Sequence, residues 1–244
     1  MIVFPMAGVS RRFAQAGYDR PKYMLPLGDG NVFDRAVGGF SALFGRMHFL
    51  FIVCDVVGTT TFIAESCRRL GLPDPEVVIL DAPTSGQAET VELGLDRAHA
   101  PGDGPITIFN IDTFRPGFAF PTAPWFADSD GYLEVFRGAG ANWSYVRPSR
   151  ECNGRVLQTT EKVPVSDLCC TGLYHFARTA DFRTALAAER AYPSAPELYV
   201  APIYNHLIAQ GRRIHFHQIE REDVVFCGVP AEYEALRATV GSLL

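Results

Sequence analysis

Within residues 4–30, FPMAGVSRRFAQAGYDRPKYMLPLGDG, an apolar run gives way to a glycine, two adjacent arginines and a Pro-Lys pair. A loop between a strand end and a helix can aim successive backbone N–H groups at one point, and a glycine in it lets a phosphate approach the main chain closely. Gly8 supplies that gap. Arg11 and Arg12 can clamp phosphate oxygens in pairs, while Lys22 acts as a compact point charge. A nucleoside triphosphate meets the demand for so much local positive charge; a solvated basic loop is the alternative that spacing alone leaves open. The stretch is neither a P-loop nor a G-x-G-x-x-G turn.

A carboxylate stands where such a site needs one. Asp112 follows the apolar run ITIFNI, residues 106–111, and so lies just past a strand's carboxyl end, where Mg²⁺ can bridge protein and phosphates. A turn-capping aspartate is the competing reading. The stretch TSGQAETV, residues 84–91, holds Gln87, whose amide offers a donor and an acceptor to one base edge. The same stretch reads as a helix N-terminus with Thr84 or Ser85 as cap and Glu89 in the first turn. His215 and His217 share a strand face, but two alternating histidines with no third ligand read as structural. The six cysteines include no C-x-x-C pair, and adjacent Cys169 and Cys170 point to opposite faces of a strand, which predicts reduced, mostly buried thiols.

These groups need a frame to hold them. Apolar spacing predicts a strand over 1–6, a helix over 31–43, a strand over 48–54, a helix over 59–70 stopped by Gly71, a strand over 76–80, a helix over 89–98 and a strand over 106–111. Alternation of this kind implies right-handed crossovers and a mainly parallel sheet covered on both faces, with ligands at the strands' carboxyl ends. The second half is richer in strands, at 131–136, 142–146, 155–163 and 169–176, before helices at 181–190 and 196–210, a strand at 213–217 and a helix at 231–240. The aromatic, proline-rich stretch 114–126 reads as an ordered excursion whose rings stack a sugar, cage a cation or pack into the core.

The segments AGVSRRF and RPKYMLPL resemble the A-G-x-G-x-R … P-K signature of the sugar-phosphate nucleotidyltransferases, a family that includes cytidylyltransferases acting on small phosphorylated alcohols. TSGQAETV, FNIDTF (109–114), GRVLQTTEK (154–162), TGLYHF (171–176) and CGVPAEYEAL (227–236) agree with it in order and spacing. The resemblance covers nearly the whole chain. It implies one Rossmann-like, GT-A-like α/β domain, a three-layer α/β/α sandwich on a mixed, mostly parallel sheet, with the nucleotide bound by about residues 1–113 and the acceptor by about 114–244.

It further implies that Ala7, Gly8, Val9, Ser10 and Arg11 cradle the nucleotide, that Arg12 holds the leaving pyrophosphate and Lys22 the reacting phosphates, and that Gly86 and Gln87 read the base. Glu161, Lys162, Gly172, Tyr174 and Asn205 fall on the acceptor side, with Tyr199 and Tyr204 in the same segment as Asn205; a salt-bridged hairpin and helix-core packing account for these residues equally well. Ser10 stands where the family often has a second glycine. A second metal-binding aspartate is expected near Phe226, with Glu222 and Asp223 as nearby substitutes.

The expected activity is transfer of a nucleoside monophosphate from an NTP to a phosphorylated small molecule, a sugar-1-phosphate or a phosphocholine-like ester, with release of pyrophosphate, in the supply of polysaccharide precursors. A metal-dependent glycosyltransferase and a non-catalytic nucleotide-binding regulator are the alternative readings. The length of 244 residues allows one sizeable core, and a net charge of −5 gives no general attraction to a polyanion, which argues against nucleic acid. No basic leader with a long apolar run begins the sequence and no stretch is long enough to cross a bilayer, so a cytoplasmic protein without membrane insertion is expected. A homo-oligomer is compatible with all of this.

Overall fold

The computed structural model describes residues 1–8, 10–54, 58–99, 102–152 and 154–241. Strand β1 (Ile2–Pro5) leads into the short helix α1 (Arg11–Gln15), and a hairpin of β2 (Pro26–Leu27) and β3 (Gly30–Asn31) precedes α2 (Val32–Gly38). Next come β4 (Phe49–Cys54), α3 (Thr59–Leu70), β5 (Glu76–Leu80), α4 (Gln87–Arg97), β6 (Ile106–Phe109) and β7 (Thr113–Phe114). The second half adds β8 (Gly131–Arg137), β9 (Ser144–Pro148), β10 (Val156–Glu161), β11 (Leu168–Phe176), α5 (Thr179–Ala191), α6 (Val200–Ala209), β12 (Ile214–Gln218), β13 (Val225–Phe226) and α7 (Pro230–Gly241).

Nine strands form one mixed sheet in the order β10-β9-β11-β6-β1-β4-β5, with β8 paired to β11 and β12 to β8. Strands β4, β5 and β6 run parallel to β1, and only β10 and β11 run against the rest. Side chains alternate between the two faces, as a doubly covered sheet requires. Val3, Leu50 and Ile52 pack with α4, α5 and α6 through Val91, Phe182 and Ile203. Ile2, Phe4, Phe49 and Phe51 pack on the other side with α2 and α3 through Phe33, Val37 and Ile63. The result is the predicted three-layer, single-domain α/β architecture. Cys169 and Cys170 enter different core clusters, as their adjacency requires, and all six cysteines are free thiols.

Two predicted helix bounds needed correction, and one reading left open is resolved. The helix over 31–43 ends at Gly38, where main chain packs on main chain: a β-carbon added at Gly39 would lie 2.4 Å from the Arg115 carbonyl oxygen, and Phe118 N–H donates to Gly39 O at 3.0 Å. The helix over 196–210 begins only at Val200, since Leu198 uses its N–H and C=O to bond Ser85 and Ala88. The rings of 114–126 are core: Phe114 and Phe118 are buried, Trp125 stacks on His215 at 4.8 Å, and none of this stretch lines the cleft described next.

Candidate active site

A cleft of about 940 Å³ opens over the carboxyl ends of β1, β5 and β6. The loop after β1 brings Ala7, Gly8, Ser10, Arg11 and Arg12 to it; Val9 lies outside the described residues. A β-carbon added at Gly8 would meet nothing within 4 Å, so the main chain there is open to a ligand. Ser10 holds φ 48° and ψ 39°, the left-handed conformation that a glycine adopts without cost. The chain therefore keeps the turn that a second glycine would serve, at a cost of about 1–2 kcal/mol for a residue with a side chain. Arg11 and Arg12 are exposed at the start of α1, and neither makes an ion pair among the described residues.

Lys22 begins a short 3₁₀ turn, and its ammonium lies 2.5 Å from Asp112 Oδ2 across the cleft. Both side chains are about one-fifth exposed, 23% and 19%. Asp112 is fixed from behind, since Cys227 N–H donates to its carbonyl oxygen at 2.8 Å and β7 pairs with β13, aligning Phe226 with Thr113. Phe226 lines the cleft and packs on Trp143 at 4.5 Å between ring centres. Glu222 and Asp223, the nearby carboxylates of the sequence reading, do not line the cleft; Asp223 instead accepts from Glu220 N–H at 3.3 Å. Glu232, which the sequence reading passed over, does line it. Its Oε2 accepts N–H bonds from Gly228 at 2.8 Å and Val229 at 3.2 Å.

Gly86 and Gln87 reach the cleft at the N-terminus of α4. Neither Thr84 nor Ser85 caps that helix; Gly86 is the N-cap, and Glu89 reaches back to accept from Ser85 N–H at 2.6 Å, which holds its carboxyl below the ordinary range. Gln87 Nε2 donates to Asn110 Oδ1 at 2.6 Å, leaving the Gln87 carbonyl unused by that bond. Asn110, another residue missed in the sequence, lies over Gly172: a β-carbon at Gly172 would come within 2.4 Å of its amide nitrogen. Gly172 itself lines the cleft, with that amide lying where its side chain would stand.

Glu161 and Ser144 pair across the ends of β10 and β9, and the Ser144 hydroxyl donates to the carboxylate. Burial pushes the Glu161 carboxyl up, opposed by Ser144 and by Lys162. Tyr174, buried on β11, lines the same end, and desolvation raises its phenol well above the ordinary value. Lys162 does not line the cleft; its ammonium donates to Tyr199 OH at 2.7 Å. Asn205 is likewise removed from it, because its amide bonds both the N–H of Thr159, at 2.8 Å, and the C=O, at 2.9 Å, fastening α6 to β10. Tyr204 is core, donating to His175 O at 2.8 Å. His215 bonds Ser129 Oγ at 2.8 Å, and among the described residues no three His, Cys, Asp or Glu side chains converge as a metal cluster.

This arrangement was compared with known proteins. No family model matches the chain, and neither does any curated protein. A solved structure described as the nucleoside-diphosphate-sugar pyrophosphorylase from Vibrio cholerae RC9 shares 48% identity over 98% of this chain and 100% of its own, with a TM-score of 0.93. The chain belongs to the sugar-phosphate nucleotidyltransferase family.

It is thus an enzyme of the nucleotidyltransferase type. The family's fold persists at low identity: the inositol-1-phosphate CTP transferase from T. maritima, 13% identical, covers 98% of this chain and 94% of its own at a TM-score of 0.70. A UDP-glucose pyrophosphorylase complexed with UDP-glucose, 15% identical, covers 100% of this chain and 98% of its own at 0.75. No helix among the described residues is long and apolar enough to cross a membrane.

Proposed function

We propose that this nucleotidyltransferase joins the nucleoside monophosphate of an NTP to a phosphorylated small molecule and releases pyrophosphate. An acceptor phosphate oxygen attacks the α-phosphorus, a new P–O bond forms, and the bond to the β-phosphate breaks in line. The acceptor is already largely deprotonated at neutral pH, so no side chain need remove a proton; alignment and charge neutralisation are what the protein supplies. The observation that carries the reading is the approach of Lys22 to Asp112 beside the open main chain of Gly8, with Arg11 and Arg12 at the start of α1 making no ion pair among the described residues.

In this reading Arg12 holds the departing pyrophosphate, Arg11 and the loop of Ala7, Gly8 and Ser10 contact the remaining phosphates, and Lys22 moves from Asp112 to the reacting phosphate. The carbonyl of Gln87 accepts from the base edge while Asn110 holds its amide nitrogen.

The donor set suits Mg²⁺, which takes hard oxygen ligands, one or two of them carboxylates, with phosphates completing its shell. Asp112 is such a ligand. A β-carbon placed on Gly228 would lie 3.3 Å from Asp112 Oδ2 and 3.7 Å from Glu232 Oε2, so both carboxylates border a space that a side chain there would fill. When bound, the ion neutralises charge on the phosphate oxygens. Asp112 holds it, and Phe226 contributes no ligand.

A product of this kind is an activated building block, and a cytoplasmic role in supplying polysaccharide precursors follows from the reading. The test is pyrophosphate release with Mg²⁺, each of the four NTPs and a panel of sugar-1-phosphates and small phosphoesters. Liberation of a nucleoside diphosphate from a sugar nucleotide, with no pyrophosphate formed from any NTP, would make the protein a glycosyltransferase instead.

A further inference from the structure

Behind the cleft lies a buried charge that the proposed chemistry leaves unused. Glu134, on β8, has a side chain with no exposure, and among the described residues its one ion-pair partner is Arg115, whose Nε donates to Glu134 Oε2 at 3.1 Å. Neither residue lines the cleft. Building on the nucleotidyl-transfer reading, we infer that Glu134 is a positioning residue, which holds Asp112 and the cleft-lining turn of Thr171 and Gly172 in register with one another from behind.

The strand pairing brings the first of these to the carboxylate. β8 and β11 pair at Val135 with Cys170 and at Leu133 with Tyr174, so three residues of β11, Thr171, Gly172 and Leu173, stand against Glu134 alone. A bulge of this kind bends its strand and re-aims the side chains on it. Gly172 takes φ 97° within the bulge, and the Thr171 hydroxyl donates to Glu134 Oε1 at 3.1 Å. Both Thr171 and Gly172 reach the cleft here. Gly172 O also accepts from Asn110 N–H at 3.1 Å, which places the amide that bonds Gln87. One oxygen of Glu134 thus anchors the floor of the cleft.

The other oxygen reaches the segment of Asp112. Arg115 follows β7 directly, three residues after Asp112, and its Nη1 lies 3.5 Å from the carbonyl oxygen of Asp223, just ahead of β13. Strands β7 and β13 pair with one another, and Cys227, next after β13, holds the Asp112 carbonyl oxygen through its N–H. A guanidinium fixed by Glu134 therefore clamps both chain segments behind Asp112. His217, opposite Glu134 on β12, adds no charge at neutral pH, because burial and then Arg115 keep its imidazole below the ordinary value. A buried ion pair is often no better for stability than apolar residues of the same volume, so stability alone does not account for this one. Alignment does: a displacement of about 1 Å at a reacting centre lowers turnover by as much as about a hundredfold.

The test sets Glu134→Gln beside the double variant Glu134→Gln/Arg115→Met, which orphans no charge and keeps an oxygen for Thr171. Tm and kcat for pyrophosphate release are measured on the full chain. The single variant is expected to lose both stability and turnover. The double variant is expected to return to within about 3 °C of the parental Tm, with a kcat still about tenfold or more below the parent's. Parental kcat in the folded double variant overturns the inference. A second measurement, on the unaltered chain, needs no variant to fold: the Arg115 Nε–H resonance, held in its bond to Glu134, is expected to shift when Mg²⁺ and an NTP are added, each of the four in turn. A resonance that none of them moves overturns the inference, and where the double variant stays destabilised the resonance alone decides. A shift without pyrophosphate from any NTP leaves the positioning link standing and defeats the transferase reading. Pyrophosphate release at one rate from the parent and the double variant does the reverse.

Discussion

Gly86 and Leu198 are packed so closely that a β-carbon at Gly86 would lie 2.6 Å from both the backbone nitrogen and the carbonyl oxygen of Leu198. Leu198 also donates to Ser85 O at 3.1 Å and accepts from Ala88 N–H at 2.8 Å. Two walls of the cleft are thereby one body: the loop before α4, proposed to read the base, and the segment that carries Glu197 and Tyr199 to the cleft. A shift in either must move the other.

Gly86→Ala tests that union. The new methyl meets main chain rather than a flexible side chain, so relief requires the segments to separate, at a cost of roughly 1–3 kcal/mol. For a chain of this length that is a fall of roughly 2–4 °C in Tm per kcal/mol, and affinity for nucleotide and acceptor should fall together. An unchanged denaturation midpoint would mean that the two segments are not pressed together in solution.

Lys22→Ala separates chemistry from folding. A partly exposed ion pair contributes only about 0–1 kcal/mol to stability, whereas a cation aimed at a reacting phosphate is worth about a hundredfold or more in turnover. The expected variant has nearly the parent's Tm and a kcat at least a hundredfold lower. Parental turnover would remove Lys22 from the mechanism, and a collapse in Tm would make its pairing with Asp112 a structural one.

Local signals made the frame legible. Helix α3 and strand β5 occupy the predicted residues because Gly71 stops one and a run of β-branched residues marks the other. Lys22 and Asp112, read from separate motifs, meet at one place. What the sequence did not disclose depends on partners far along the chain. Asn110 and Gly172 explain one another only once β6 and β11 are side by side. Asn205 has side-chain chemistry suited to an acceptor, but its amide is turned to the backbone N–H and C=O of Thr159, away from the cleft. The two-residue strands β7 and β13 are too short to leave a periodic pattern, yet they set Phe226 and Glu232 beside Asp112.

Gly8→Ala probes the nucleotide loop from the opposite direction to Gly86→Ala. With nothing within 4 Å of the added β-carbon, the folded chain accommodates it, and stability should stay within about 0.5 kcal/mol of the parent. In the proposed reading a phosphate takes up the space into which that methyl projects, so Mg²⁺–NTP affinity, measured by calorimetry, should drop. Full affinity in a normally folded variant would show that phosphates do not approach the main chain at Gly8.

His175 is one source of acid sensitivity in the fold. Its imidazole is buried between Tyr132, 5.1 Å away, and the hydroxyl of Thr107, 2.9 Å from Nδ1, and burial lowers its pKa from 6.5 to about 3. Between those values the unfolded chain takes up a proton that the native chain refuses. The stability from a neutral His175 is therefore complete above pH 6.5 and is lost progressively as pH falls toward 3. The loss is on the order of 4 kcal/mol by the lower limit, a large part of the stability of an ordinary domain. Denaturant midpoints should fall over that window and fall less steeply in His175→Phe, which fills the site without a titrating group. Imidazole resonances provide a check independent of whether the variant folds: a His175 signal that titrates near pH 6.5 in the native protein would show that the ring is hydrated and that acid destabilisation has another source.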